Sequence, residues 1–217
     1  VLLLEDLQAW HNADHLAGLQ MDQARLCIDQ LAGLHAWSCD SANSAVLEYF
    51  PSLDTPIARD LLLPAFAPGW QISRDHCNGS VPASVARFAE SFAERAVEAL
   101  PALTERDMLV HGDIRADNLF FDGDRMKVVD FQFAARGCGA ADVAYLVTQG
   151  LPSRTRHGHD EALVRHYLDR LGDQGGAAHT GRQHIDSGPP QEVEAHQDVL
   201  AAAHADQRPL GQRQRQG

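Results

Sequence analysis

Apolar side chains recur at helical spacing between Asp22 and Trp37, where Ala24, Cys27, Ile28, Leu31 and Leu34 share a stripe and Asp22 is placed to cap the first turn. That pattern predicts a helix. A second helix is expected from about Pro82 to Leu100, with Ser80 as its cap, Val85, Phe88, Phe92 and Ala96 on its inner face, and Pro101 ending it. Further helices are expected near Ala141 to Thr148 and from Asp160 to Leu171, the latter with Leu163, Val164, Tyr167, Leu168 and Leu171 on one stripe. Val1 to Leu4 is a short apolar run that reads as a buried strand leaving a core. Residues 51 to 82 hold Pro51, Pro56, Pro64, Pro68, Gly69, Gly79 and Pro82 and read as loop around the apolar segment Leu61 to Leu63. From Leu119 to Val129 two apolar runs flank Asp122-Gly123, a pair expected to supply the positive φ angles of a tight hairpin. The elements together predict an α+β fold, mainly helical with one short β-hairpin.

Composition narrows what such a fold can do. The chain has 217 residues, 44% of them hydrophobic, enough for one substantial core. Its net charge is -12, and residues 1 to 174 hold 25 Asp+Glu against 14 Lys+Arg. An acidic body argues against nucleic-acid binding, which needs a basic surface to neutralise phosphates. Cys27, Cys39, Cys77 and Cys138 lie far apart with no C-x-x-C pair, as expected of free thiols in a reducing cytoplasm. No apolar stretch approaches the roughly 20 residues that cross a bilayer, so no membrane partner is expected. From Gly175 onward there is no Phe, Trp, Tyr, Met or Cys. Residues 172 to 217 are therefore expected to form a disordered tail, or one read in a shifted frame, behind a main body of residues 1 to 171.

The chemistry is concentrated in His111-Gly112-Asp113-Ile114-Arg115-Ala116-Asp117-Asn118 and in Val128-Val129-Asp130-Phe131-Gln132. Phosphoryl transfer needs a carboxylate that orients the attacking hydroxyl and accepts its proton, and oxygen ligands that hold Mg²⁺ on the nucleotide phosphates. Asp113, Asn118 and Asp130 have that chemistry. A hairpin turning near Gly123 brings the ends of its arms together, so Asn118 and Asp130 are expected to lie roughly opposite each other. A sparse Asn plus Asp set suits Mg²⁺, which keeps several waters, and would not suffice for a calcium cage. His111 and His35 read as structural histidines, and Asp142 as a helix-start carboxylate.

The string H-G-D-x-x-x-x-N, followed by an apolar strand and D-F-Q, resembles the catalytic and metal-binding loops of aminoglycoside phosphotransferases, choline kinases and, most closely, ecdysteroid-kinase-like enzymes. Leu34-His35-Ala36 is similar to that family's L-H-A helix signature. Arg136 to Tyr145 is similar to its stretch ending in D-L-A-Y, and Glu5-Asp6-Leu7 resembles its hinge, whose backbone contacts adenine. The resemblance covers about residues 1 to 171 and implies an ATP- and Mg²⁺-dependent kinase acting on a hydroxyl of a small molecule. It implies Asp113 as catalytic base, Arg115 as a phosphate contact unless it pairs with Asp113 or Asp117, Asn118 and Asp130 as Mg²⁺ ligands, Glu5, Asp6 and Leu7 at the nucleotide, and Asp142 as a brace on the catalytic loop.

The same resemblance implies a protein-kinase-like C-lobe that starts at the hinge, residues 1 to 7, with the N-terminal lobe absent. The only lysine, Lys127, stands three residues before Asp130, and period-two alternation turns it to the opposite face, so it does not replace the lysine of that lobe. The expectation is a fragment of a kinase, inactive in isolation, and the alternative is a pseudokinase retained as a binding module. Phe66, Trp70, Tyr145 and Tyr167 are expected to line a substrate wall compatible with an apolar, steroid-like alcohol rather than a polycationic aminoglycoside.

Overall fold

The computed structural model describes residues 4–77 and 80–174. They fall into two compact units, one holding residues 4–55 and 99–174 and the other residues 56–77 and 80–98. Residues 1–3 of the predicted strand Val1 to Leu4, and the tail from Gly175, lie outside the described residues. Leu4 is exposed and belongs to no strand.

The first unit is assembled on helix α1, Met21–Cys39. Its predicted stripe is realised, with Ala24, Cys27, Ile28 and Leu31 all buried. The N-terminus is closed by Gln20, whose N–H donates to Gln23 Oε1 at 2.9 Å. Asp22 therefore lies inside the first turn and is not the cap, although its charge there still favours the helix dipole. Helix α1 packs along α7, Asp160–Asp173, which buries Leu163, Tyr167 and Leu171 and runs two residues past the expected end. Val164 and Leu168, assigned to the same stripe, are about half exposed. A short α2, Ser44–Leu47, follows α1.

Two small antiparallel sheets carry the loops between the helices. Strands β1, His11–Asn12, β3, Leu119–Asp122, and β4, Arg125–Val128, form one, with β3 central. Strands β2, Met108–Val110, and β5, Ala135–Gly137, form the other, Val110 opposite Ala135. The predicted hairpin is β3–β4 with Asp122 opposite Arg125. Its turn is Gly123-Asp124 and not Asp122-Gly123, and only Gly123 takes a positive φ, 62°. Helices α5, Ala140–Tyr145, and α6, Ser153–Arg156, complete the unit, with a π-helical turn at Leu146–Gly150 after α5. The result is a mixed fold, mainly helical with small antiparallel sheets, compatible with a kinase-like architecture.

The second unit corrects the loop reading of residues 51 to 82. A π-helical turn, Ala58–Leu62, runs directly into helix α3, Leu63–His76. Pro64 follows that turn directly and Pro68 lies further along α3, so the continuous helical run lacks two N–H donors, while the Leu63 N–H still bonds Ala58 O across the join. Helix α4, Ala83–Leu103, likewise continues through Pro101, which lacks one N–H donor in the last turn, and the Thr104 N–H still closes on Leu100 O at 3.1 Å. Ser80 does not cap it, since its hydroxyl donates to Cys77 O at 2.7 Å. Val85 and Phe88 are exposed instead of facing inward, while Phe92 packs edge-on against Phe66 with ring centroids 4.7 Å apart.

Candidate active site

Strand β2 delivers the chain to His111, and backbone geometry fixes the path of the loop beyond it. Gly112 has φ 81°, and a Cβ there would lie 2.4 Å from Phe133 O, so only glycine lets the loop pass this close to the turn Phe131–Phe133. The His111 ring is fully buried, with Phe131 edge-on at 4.6 Å. Its Nδ1 accepts from the Asp113 N–H at 3.2 Å, which leaves Nε2 as the protonated nitrogen, donating to Val129 O at 3.0 Å. One neutral imidazole thus ties the loop of Asp113 to the strand end that precedes Asp130.

A second tie comes from Asp142 in α5, which is buried and acts on the loop rather than on its own helix. Its Oδ2 accepts from the His111 N–H at 2.6 Å and its Oδ1 from the Gly112 N–H at 2.9 Å. No side-chain cap bond is made at the start of α5, so the expected capping role is not realised, while the expected hold on the loop of Asp113 is made through the His111 and Gly112 N–H groups. His35 Nε2 stands 3.3 Å from Asp142 Oδ2, and His35 Nδ1 is 2.9 Å from the Tyr167 hydroxyl. Burial first, then the acidic neighbours Cys138, Asp142 and Cys39, push the Tyr167 phenol well up, so it stays neutral beside His35. Gly139 lets these rings approach, since a Cβ there would meet His35 Nδ1 at 2.4 Å. Tyr167 is therefore committed to the core and does not form part of a substrate wall.

Asp113 emerges from this scaffold with its carboxylate mostly covered. Its Oδ1 accepts from the Tyr145 hydroxyl at 3.2 Å and lies 3.3 Å from Arg115 Nε, an ion contact without hydrogen-bond alignment. Its Oδ2 is 3.4 Å from Asn118 Nδ2, a nitrogen that donates more closely to Asp113 O at 2.9 Å. Arg115 also reaches Asp117 Oδ2 at 3.4 Å, so its guanidinium bridges two carboxylates of the loop.

Asn118 ends a 3₁₀ turn, Ala116–Asn118, and its carbonyl accepts from the Val129 N–H at 3.0 Å. That bond sets Asn118 beside the residue preceding Asp130, as the hairpin pairing predicts. Because both neighbours of its Nδ2 are acceptors, the amide orientation is fixed and Oδ1 is turned away from Asp113. Asp130 is exposed and has φ 67°, the only positive φ among the described non-glycine residues. Such a conformation costs on the order of 1–3 kcal/mol and is characteristic of functional sites. Gln132 Nε2 donates to Asp130 Oδ2 at 3.2 Å. One amide oxygen and one carboxylate are hard oxygen donors of the kind Mg²⁺ takes alongside phosphate and water, so the residues present fit that ion. Among the described residues no group of three His, Cys, Asp or Glu is set to hold a metal unaided.

Asp113, Arg115, Asn118 and Asp130 thus gather on two adjoining loops. Glu5, Asp6 and Leu7 bond elsewhere: Glu5 pairs with Lys127 on β4, Asp6 Oδ1 accepts from the Gln8 N–H at 2.9 Å, and Leu7 O accepts from the Trp10 N–H at 2.9 Å. Lys127 Nζ also lies 5.0 Å from the centre of the Trp10 ring, so it serves the outer face of the hairpin. Two contacts escape sequence reasoning. Tyr145 is expected in a substrate wall and instead reaches Asp113, although its spacing of three from Asp142 places both residues on one face of α5. Ser38, whose Oγ accepts from the buried Leu109 N–H at 3.0 Å, carries no signal beyond its place one turn after His35.

A family model described as the ecdysteroid kinase-like family matches residues 1–176. No curated protein matches the chain. No helix among the described residues is long and apolar enough to cross a membrane.

Proposed function

The chain belongs to the ecdysteroid kinase-like family, whose members are kinase-like small-molecule phosphotransferases, and from that premise we propose that it carries the catalytic loop of an ATP-dependent kinase for a small-molecule hydroxyl. The observation that carries the reading is Asp113 held at the mouth of a doubly tied loop, its backbone fixed through His111 and Asp142 and its carboxylate oriented by Tyr145 and Asn118. A carboxylate so placed accepts the proton of an attacking hydroxyl. The substrate oxygen forms a bond to the γ-phosphorus, the bond from that phosphorus to the β,γ-bridging oxygen breaks, and ADP leaves with the electron pair.

Asn118 Oδ1 and the Asp130 carboxylate are the groups that would hold Mg²⁺, which when bound neutralises charge on the nucleotide phosphates. Arg115 bridges Asp113 and Asp117, and its remaining guanidinium nitrogen is suited to a phosphate oxygen once nucleotide is present. Glu5, Asp6 and Leu7 are assigned to the adenine side by family resemblance. For the acceptor we favour an apolar alcohol over a polycationic aminoglycoside, because Phe131 and Phe133 expose about half or more of their surface directly after Asp130.

The test is transfer of labelled γ-phosphate by the full-length protein to a panel of apolar alcohols and aminoglycosides. Asp113→Asn keeps the shape of the side chain and removes its basicity, so transfer should fall by about 100-fold or more. Wild-type rates in the Asp113→Asn protein would remove Asp113 as the base, and transfer only to aminoglycosides would overturn the acceptor assignment.

A further inference from the structure

Tyr145 touches the proposed base and no established role accounts for it. Its hydroxyl is 3.2 Å from Asp113 Oδ1, the same oxygen that Arg115 Nε approaches at 3.3 Å. Oδ1 therefore takes the shorter of the two side-chain hydrogen bonds and the nearest cationic charge, and Oδ2 keeps only the long 3.4 Å approach of Asn118 Nδ2. A carboxylate whose closer hydrogen bond and counter-charge both lie at one oxygen has its more available lone pairs on the other. Helix α5 supplies the geometry: Asp142 holds the loop backbone and Tyr145, one turn further on, holds the side chain.

We infer that Tyr145 is a positioning residue for phosphoryl transfer, which clamps Asp113 Oδ1 and thereby presents Oδ2 to the substrate hydroxyl. The inference rests on the kinase reading above. The charged groups facing the Tyr145 phenol all come from the catalytic loop: Asp113, Arg115 and Asp117. Burial and then the bond to and charge of Asp113 push the phenol above the ordinary tyrosine range, with Arg115 opposing and Asp117 adding. The hydroxyl is accordingly a donor throughout the pH range in which a kinase works.

A hydrogen bond to a charged group contributes enough to orient a side chain that its loss should lower kcat by about tenfold or more. Tyr145→Phe in the full-length protein should therefore reduce kcat with KM for the acceptor nearly unchanged, whereas a residue that merely lines the acceptor pocket would raise KM. Replacement of Tyr145 by 3,5-difluorotyrosine, a more acidic phenol of nearly the same shape, should restore kcat at low pH. It should also introduce an alkaline limb, where the donor ionises, that the wild type lacks. A Tyr145→Phe enzyme with wild-type kcat, or a difluorotyrosine enzyme with an unchanged pH profile, would overturn the inference while Asp113→Asn still tests the kinase reading by itself. A readout free of catalysis separates the two further. The fluorine-detected ionisation of the difluorotyrosine should move to lower pH in the Asp113→Asn background, because a negative neighbour has been removed, and an unmoved midpoint would show that the clamp does not form.

Discussion

The two units of this chain treat polarity in opposite ways. In the unit of residues 4–55 and 99–174, the buried polar side chains among the described residues are His35, Ser38, His111, Asn118 and Asp142, and each makes at least one hydrogen bond to another part of that unit. Among the described residues of the other unit, 56–77 and 80–98, none of the buried residues is polar or charged, and Ile57, Leu61, Leu62, Ile72, Val85, Phe88 and Val97 stand exposed beside charged side chains such as Arg74, Glu90, Arg95 and Glu98. Burying a polar group is costly unless it is paired, so a fold concentrates such groups where position matters more than stability. In the first unit they surround one loop and fix its backbone. Side-chain identity there is constrained by geometry. In the second unit the helices make local hydrogen bonds and a few ring contacts, and side-chain identity is only loosely constrained by the unit's own packing.

The comparison is tested most severely at Asp142. Asp142→Ala removes the acceptor of two backbone N–H groups and leaves His35 without its carboxylate, all in a dry environment. Loss of one member of a buried, paired set costs on the order of 3–5 kcal/mol. Urea unfolding should show a loss of that size, with phosphoryl transfer abolished as well. Asp113→Asn, by contrast, should unfold close to wild type, since it is nearly isosteric and lies at the mouth of the site. A destabilisation below about 1 kcal/mol for Asp142→Ala would mean that the brace does not hold the loop, and that burial of polar groups in this unit has another cause.

Ser38→Ala is the next step down. The hydroxyl both donates to His35 O at 2.7 Å and accepts from the Leu109 N–H. Its removal leaves one buried donor unpaired on the strand that leads to His111, which costs about 1–3 kcal/mol. The same substitution at the exposed Ser44, whose hydroxyl bonds Ser41 O, should stay within about 0.5 kcal/mol by the same unfolding measurement.

These contrasts also explain what the sequence could convey. The spacing of Asp113, Asn118 and Asp130 around a hairpin was legible because strand pairing is set by local turn chemistry, and the pairing places Asn118 beside Val129 even though the turn itself is shifted by one residue. The stripe of α1 was legible because its apolar face is buried. The helix at 58–76 was not, because Pro64 and Pro68 signal a break by local chemistry, whereas each removes only its own N–H donor and the helical run continues past both. The exposed Val85 and Phe88 mark the same limit: helical periodicity reports an apolar face, and burial of that face depends on what packs against it. The convergence of Tyr167, His35, Asp142 and Gly112 joins residues up to 132 positions apart, and no local pattern encodes a contact between residues 35 and 167.

Phe88 is where the smallest effect should appear and where the comparison is easiest to break. Its ring is about half exposed and meets Phe92 at 6.0 Å between centroids, in a tilted arrangement worth little beyond its area. Phe88→Ala removes that contact and some partly buried surface, but alanine is the better helix former by about 0.5 kcal/mol in α4. The two effects largely offset, so the net change in unfolding free energy should be about 1 kcal/mol or less, with the helical circular dichroism retained. A loss above about 2 kcal/mol would require Phe88 to be buried in solution. In that event the apolar face of residues 56–98 is covered, and the contrast between the units would be one between a core closed by the chain's own packing and a surface closed by something that packs onto it.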